Sequence, residues 1–138
     1  VRWGERVESP VINEGEADIL LAFEQLEAAR YLPYLEKGGV VVTNTQKIDP
    51  MPVITGAAAY PVALLEKIEA AGVRLTAVDA LRLAEEAGSQ KAVNVVLIGA
   101  MASSLDIPEE SWLSAIEKTV PAKFLDMNKR AFALGYRA

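Results

Sequence analysis

Few residues of this 138-residue chain could do chemistry, and the most suggestive are polar groups at the ends of apolar runs. Asn44, Thr45 and Gln46 follow the β-branched stretch Val40–Thr43. A polar trio at the C-terminal end of a parallel strand lies where open α/β sheets bind ligands, so all three are candidate ligand-binding residues. The simpler reading has them satisfying backbone groups in a turn. Asp79 ends another apolar run and could meet a ribose hydroxyl, although capping the next helix explains it without a ligand. Asn94 is the one clearly polar residue from Val93 to Ala102. A buried amide left unpaired costs about 1–3 kcal/mol, so Asn94 is expected to be buried and bonded beyond its own helix, as a structural tie or a ligand contact. Glu24 and Glu27 have the spacing of two carboxylates on one helical face. Acid–base work would need them buried together, whereas an exposed face accounts for them equally well. Lys91 near a helix start is weak evidence for an anion. Trp3, Trp112 and Tyr136 are candidate interface anchors, with Trp112 better suited to a core.

Absent residue types narrow the chemistry further. The chain has no Cys and no His, so a disulfide, a thiolate zinc site, a cysteine-ligated iron–sulfur cluster and a Ser-His-Asp relay are all excluded within it. Its acidic residues form no recognisable metal-binding loop. Fourteen Lys and Arg against 19 Asp and Glu give a net charge of −5, with the cations dispersed. Nucleic acid is therefore a poor partner. No apolar run reaches the roughly 20 residues needed to span a bilayer, and no signal-peptide pattern is present, so a cytoplasmic location is expected.

The elements that must position these groups follow from periodicity. Val1–Trp3 and Arg6–Glu8, around Gly4-Glu5, read as a β-hairpin arm. Ala17–Phe23 has the length of a buried strand. Glu24 to Tyr31 reads as a helix, Pro33 must kink it or start a new turn, and Gly38-Gly39 should end the segment. Val40–Thr45 is a second buried strand. Residues 49–55, with two prolines, read as a loop or edge piece. Pro61 opens a helix with Val62, Leu65 and Ile68 on one stripe, ending at Gly72. Val73–Val78 is the third strand, and a helix follows over Ala80–Ala87, stopping at Gly88. Ser89 caps a helix over Gln90–Leu105, whose composition requires protein on all sides. Pro108 starts a helix carrying Trp112, Leu113 and Ile116. A last helix from about Pro121 aligns Phe124, Met127, Ala131 and Leu134. Strands separated by crossover helices imply an α/β fold of three layers with a mainly parallel sheet and a helical C-terminal third. Neither G-x-G-x-x-G nor G-x-x-x-x-G-K-[ST] occurs, and Gly38-Gly39 leads into a strand, the wrong polarity for a phosphate cradle.

Several linked segments carry a wider resemblance: VRWGERVESPVI, EGEADILLAFEQLEAARYLPYLEKGGVVVTNTQ, AAAYP, QKAVNVVLIGAMASSL and PEESWLSAIEKTVPAKFLDMNKRAFALGY. In order and with few gaps, they resemble the gamma-type domain of the pyruvate/2-oxoacid:ferredoxin oxidoreductases, most closely its indolepyruvate group. The resemblance implies a Rossmann-like layer over residues 1–138. It also implies membership of a complex that oxidatively decarboxylates a 2-oxoacid with coenzyme A to acyl-CoA, carbon dioxide and reduced ferredoxin. Thiamine diphosphate and iron–sulfur clusters then belong to a large catalytic partner subunit, with no cofactor bound by this chain and no catalytic residue carried over to it. Ferredoxin and coenzyme A are expected to be met only through the complex. The alternative is a stand-alone α/β small-molecule-binding protein or enzyme using the strand-end loop Asn44–Gln46.

The family pattern places a strand and a GxGGQG turn ahead of the segment matched by Val1–Ile12. The domain is thus expected to be N-terminally incomplete, with an open sheet edge. Such an edge should drive self-association through the N-terminal arm or strand pairing. Light scattering at micromolar concentration is expected to show a dimer or larger species, and a monomer would refute this.

Overall fold

The computed structural model describes residues 1–138. Its centre is a parallel sheet in the order β1 (Ala17–Ala22), β2 (Leu35–Asn44), β3 (Arg74–Val78). Ile19 to Ala22 pair with Val40 to Thr43, and Val40 to Asn44 pair with Arg74 to Val78. The middle strand β2 is buried from Val40 to Asn44. This is why it reads as an unbroken apolar and β-branched run: a strand covered on both faces has no water side to mark.

Helices cover both faces, giving the three layers expected. Val41 packs on one face with Ala28 of α1 (Gln25–Tyr31) and Ile68 of α3 (Leu64–Ala70). Val40 and Val42 point to the opposite face, as a period of two requires. There they meet Leu83 and Ala84 of α4 (Ala80–Ala87), Val96, Leu97 and Ala100 of α5 (Val93–Ala102), and Ala131 of α7 (Leu125–Tyr136). The short α2 (Met51–Ile54) and the helix α6 (Glu109–Thr119) lie outside these layers, α6 against α7.

Helices α5 and α7 approach until backbone meets backbone. A methyl group at Gly99 would overlap the Phe132 carbonyl oxygen and sit 2.9 Å from the Tyr136 nitrogen. One at Gly135 would overlap the Val96 carbonyl, 2.7 Å from its carbon. Both positions therefore admit only hydrogen. Beside the crossing, Phe132 is fully buried, with its ring 6.3 Å from Trp112 and 5.8 Å from Tyr136. Trp112 is half-buried, and its indole N–H is shut from solvent without an acceptor. The indole thus serves packing rather than an exposed interface.

Several expectations from sequence need correction. Residues 1–12 form no strand and share no backbone hydrogen bond with β1, so the arm is not a hairpin. It is tied down by the Arg2 guanidinium on Glu16, 2.6 Å away. Gly38-Gly39 do not end a helix. The chain leaves α1 through a 3₁₀ turn at Leu32–Tyr34 containing Pro33, and β2 has already begun at Leu35. The glycines lie where the β1–β2 ladder jumps from Ala17–Leu35 to Ile19–Val40. Gly38 supplies a φ of +79° there, and a side chain at Gly39 would strike Leu35. Residues 51–54 are helical despite their prolines, because Pro50 and Pro52 stand at the cap and first turn, where no N–H is needed. Helix α3 starts at Leu64, not Pro61, and buries Leu64 and Ile68 while Val62 stays exposed. The last helix buries Asn128, Ala131, Phe132 and Gly135, leaving Phe124 outside.

Asn94 is the clearest reversal, because it is exposed. Solvent can satisfy its amide, so the burial and tie expected of it are both wrong. Helix α5 buries Val96, Leu97, Gly99, Ala100 and Ala102 but leaves Val93, Val95, Ile98 and Met101 only half-covered. Composition alone could not say which side lay open.

Gly135→Ala tests the crossing. Alanine gains about 1 kcal/mol in helix propensity, but overlap with a fixed carbonyl should cost about 1–3 kcal/mol or more. The net expectation is a lower urea midpoint. Gly4→Ala, with nothing within 4 Å, should leave it unchanged. An unaltered midpoint for Gly135→Ala would show that the helices can part at little cost.

Candidate functional site

The C-terminal ends of the three strands bring together polar side chains from separate loops. Glu24 follows β1 and is buried. One carboxylate oxygen caps α1, accepting from the N–H groups of Leu26 at 2.7 Å and Glu27 at 3.2 Å. The other accepts from the Ile48 N–H at 3.3 Å and from the Tyr60 hydroxyl. A single side chain therefore starts a helix and holds both ends of the excursion from residue 47 to 60. Glu27 instead lies half-buried on the helix surface, 3.4 Å from Arg30. The two carboxylates thus have different partners and share none.

Beside Glu24, the buried Gln25 donates its amide to the Thr45 carbonyl, joining the loops after β1 and β2. Asn44 joins the loops after β2 and β3. Its side-chain oxygen accepts from the Ala80 N–H at 3.2 Å and the Gln46 N–H at 3.4 Å, while its amide faces the Gln46 side-chain oxygen at 3.3 Å. Asn44 is fully buried, Thr45 half-buried and Gln46 exposed, so only the last two reach the rim. Asp79 accepts from the Arg82 N–H at 3.1 Å, the capping role expected of it.

Burial pushes the Tyr60 hydroxyl well above the ordinary tyrosine range, reinforced by its hydrogen bond to Glu24 and by that carboxylate's charge. Deprotonating it would set a phenolate against a carboxylate. The Lys47 ammonium stands 5.8 Å from the centre of the same ring. Sequence reasoning missed Glu24, Gln25 and Tyr60 as one unit. The only local signal was an acidic residue at a helix start, and nothing linked it to residues 24 and 36 positions away.

A concavity of about 400 Å³ lies between the arm and the β1 edge, lined in part by Trp3, Ile12, Ile19 and Leu105. Of its charged side chains, Arg2 and Glu16 are paired with each other, while Asp18 takes part in no ion pair. Hydrogen bonds from Asn13, and then the Arg2 contact, hold the Glu16 carboxyl below its usual range.

A parallel three-layer sheet with polar loops at its strand ends defines a Rossmann-like α/β domain. The family profile described as pyruvate ferredoxin/flavodoxin oxidoreductase matches residues 1–138, and the chain belongs to that family. Indolepyruvate oxidoreductase subunit IorB of Thermococcus kodakarensis is 46% identical over 143 residues, covering all of this chain and 71% of that protein. The same-named subunit of Pyrococcus horikoshii is 43% identical, with the same coverage. Among solved structures, the gamma subunit of a keto/oxoacid ferredoxin oxidoreductase from Geobacter sulfurreducens superposes with a TM-score of 0.65 at 25% identity. That match covers 92% of this chain and 66% of the other.

Two measurements test the strand-end network. Asn44→Ala should cost about 1–3 kcal/mol, because it strands the buried Ala80 N–H, read as a lower denaturation midpoint. Tyr60 titrates higher folded than unfolded, so the folded state keeps its proton longer. Its contribution is complete below the ordinary tyrosine pKa of about 10 and is lost as pH rises above that. Ultraviolet titration should show one tyrosine ionising after the others, and Tyr60→Phe should remove that late component. Four tyrosines ionising together would contradict the contact.

Proposed function

We propose that the chain serves as the small, gamma-type subunit of an indolepyruvate or aryl-pyruvate:ferredoxin oxidoreductase. The observation that carries this reading is the 46% identity to an indolepyruvate oxidoreductase subunit across the entire chain. On this reading the complex oxidatively decarboxylates a 2-oxoacid with coenzyme A and passes the electrons to ferredoxin. The chemistry resides in a large catalytic subunit carrying thiamine diphosphate and iron–sulfur clusters, and the assembly works in the cytoplasm.

This chain's own residues do not fit those groups. It has no cysteine for a cluster, and no three of its carboxylates converge where a metal ion would sit. The buried polar side chains at the strand ends are occupied by local donors, Glu24 by three backbone N–H groups and the Tyr60 hydroxyl and Asn44 by two backbone N–H groups. They hold loops rather than move protons. No helix is long and apolar enough to cross a membrane.

The chain alone is expected to give no ferredoxin reduction with indolepyruvate, thiamine diphosphate and coenzyme A. Mixed with the large subunit, it should restore substrate-dependent reduction and co-purify with it. Turnover by the chain alone at about 1 per second or more would refute the non-catalytic assignment. A large subunit equally active without the chain would refute its membership in the complex.

A further inference from the structure

Five large apolar side chains are exposed around the loop that Glu24 anchors. Phe23, the neighbour of Glu24, is 49% exposed, Ile48 55%, Met51 66%, Ile54 65% and Val62 74%. The last four belong to the excursion between β2 and α3. Glu24 holds that excursion at Ile48 and at Tyr60, which brings it against the strand end where Phe23 stands. The excursion also carries hydrogen bonds of its own. Ile54 N–H reaches the Pro50 carbonyl, Ala58 N–H the Pro52 carbonyl, and the Thr55 hydroxyl the Met51 carbonyl. Single exposed apolar residues are ordinary on a protein surface, but several carried on one anchored loop are not. Their exposed area is on the order of 500 Å², a large share of the roughly 800 Å² each partner gives to a standard stable interface. At the rim, the Lys47 ammonium lies beside the Tyr60 ring and takes part in no ion pair within the chain.

We propose that this face, Phe23 with residues 47–62, docks on the large catalytic subunit, an assignment that rests on the functional reading above. The apolar area could form the centre of a standard-size subunit contact, and a loop already anchored by Glu24 has less to order on binding. The chain's relatives are themselves named as subunits, which calls for a hetero-interface rather than a free surface. The partner surface is apolar at its centre, with a carboxylate facing Lys47. Glu24 and Tyr60 are positioning residues, since they hold the loop from beneath.

The test co-expresses the tagged chain with the large subunit and measures how much large subunit is captured. Met51→Glu with Ile54→Glu is expected to reduce capture at least tenfold. Val7→Glu with Val11→Glu, exposed positions on the arm, should leave it unchanged. Circular dichroism and denaturation midpoints should match for all forms, because none of the four residues is buried. Lys47→Glu should weaken capture at low salt, and the difference should shrink as salt rises. Wild-type capture by the Met51/Ile54 variant would overturn the assignment, as would equal loss from the arm variant. A variant that changes only the association of the chain with itself would assign the face to a second copy and overturn the proposed partner. No capture by the unsubstituted chain would instead sink the functional reading, and the proposal with it.

Discussion

The backbone contact between α5 and α7 is the constraint on which the rest of this small domain depends. Only three strands are available, so the sheet offers little area on either face, and the helices covering it must be held mainly by each other. Gly99 and Gly135 let the two helices close to backbone distance, which seats Ala131 over the sheet and buries Phe132 beneath the Trp112 stack. Interiors packed to crystal-like density transmit such contacts, so a single methylene here is felt in the sheet as well as between the helices.

The opposite end of the design is polar. Parallel strands release their chain ends on one side, and the loops leaving them have backbone groups that need partners. In this protein the partners are side chains from the neighbouring loops: Glu24 and Gln25 after β1, and Asn44 at the end of β2. Each is buried, and each bonds across a gap in sequence. The arrangement converts the region where many α/β proteins hold ligands into a braced platform. Thr45 and Gln46 stay at its rim, the two of the original trio still open to a small molecule.

Under the proposed function, that bracing gives an acidic domain without cysteine or histidine a part in redox chemistry. Its contribution need not be a reacting group. On the proposed docking, the loop's apolar side chains fix one subunit against another, and the Glu24 carboxylate sets the loop's position. The burial that raises the Tyr60 pKa reflects the same enclosure. The hydrogen bond to Glu24 accounts for the shift together with burial.

Local chemistry made much of this readable in advance. The three strands, the cap at Asp79, the stop at Gly88 and the turn at Pro33 follow from β-branched runs, a short acceptor side chain, a positive φ and a missing N–H, all properties of a residue and its nearest neighbours. The three-layer α/β class followed from their order, and the resemblance across the whole chain identified the family. Tertiary structure alone decided which groups met. Asn94 lies open because α5 leaves its side of the crossing uncovered, whereas Asn44, read as a possible ligand contact, is sealed inside as a tie to α4. Gly38-Gly39 look like a helix stop but accommodate a register jump, since their meaning depends on a partner strand. Glu24 meets Tyr60 across 36 residues, and Gly99 meets the backbone of Phe132 across 33, the difference of their positions. Periodicity reports which neighbours a residue resembles, not which distant groups the fold will press against it.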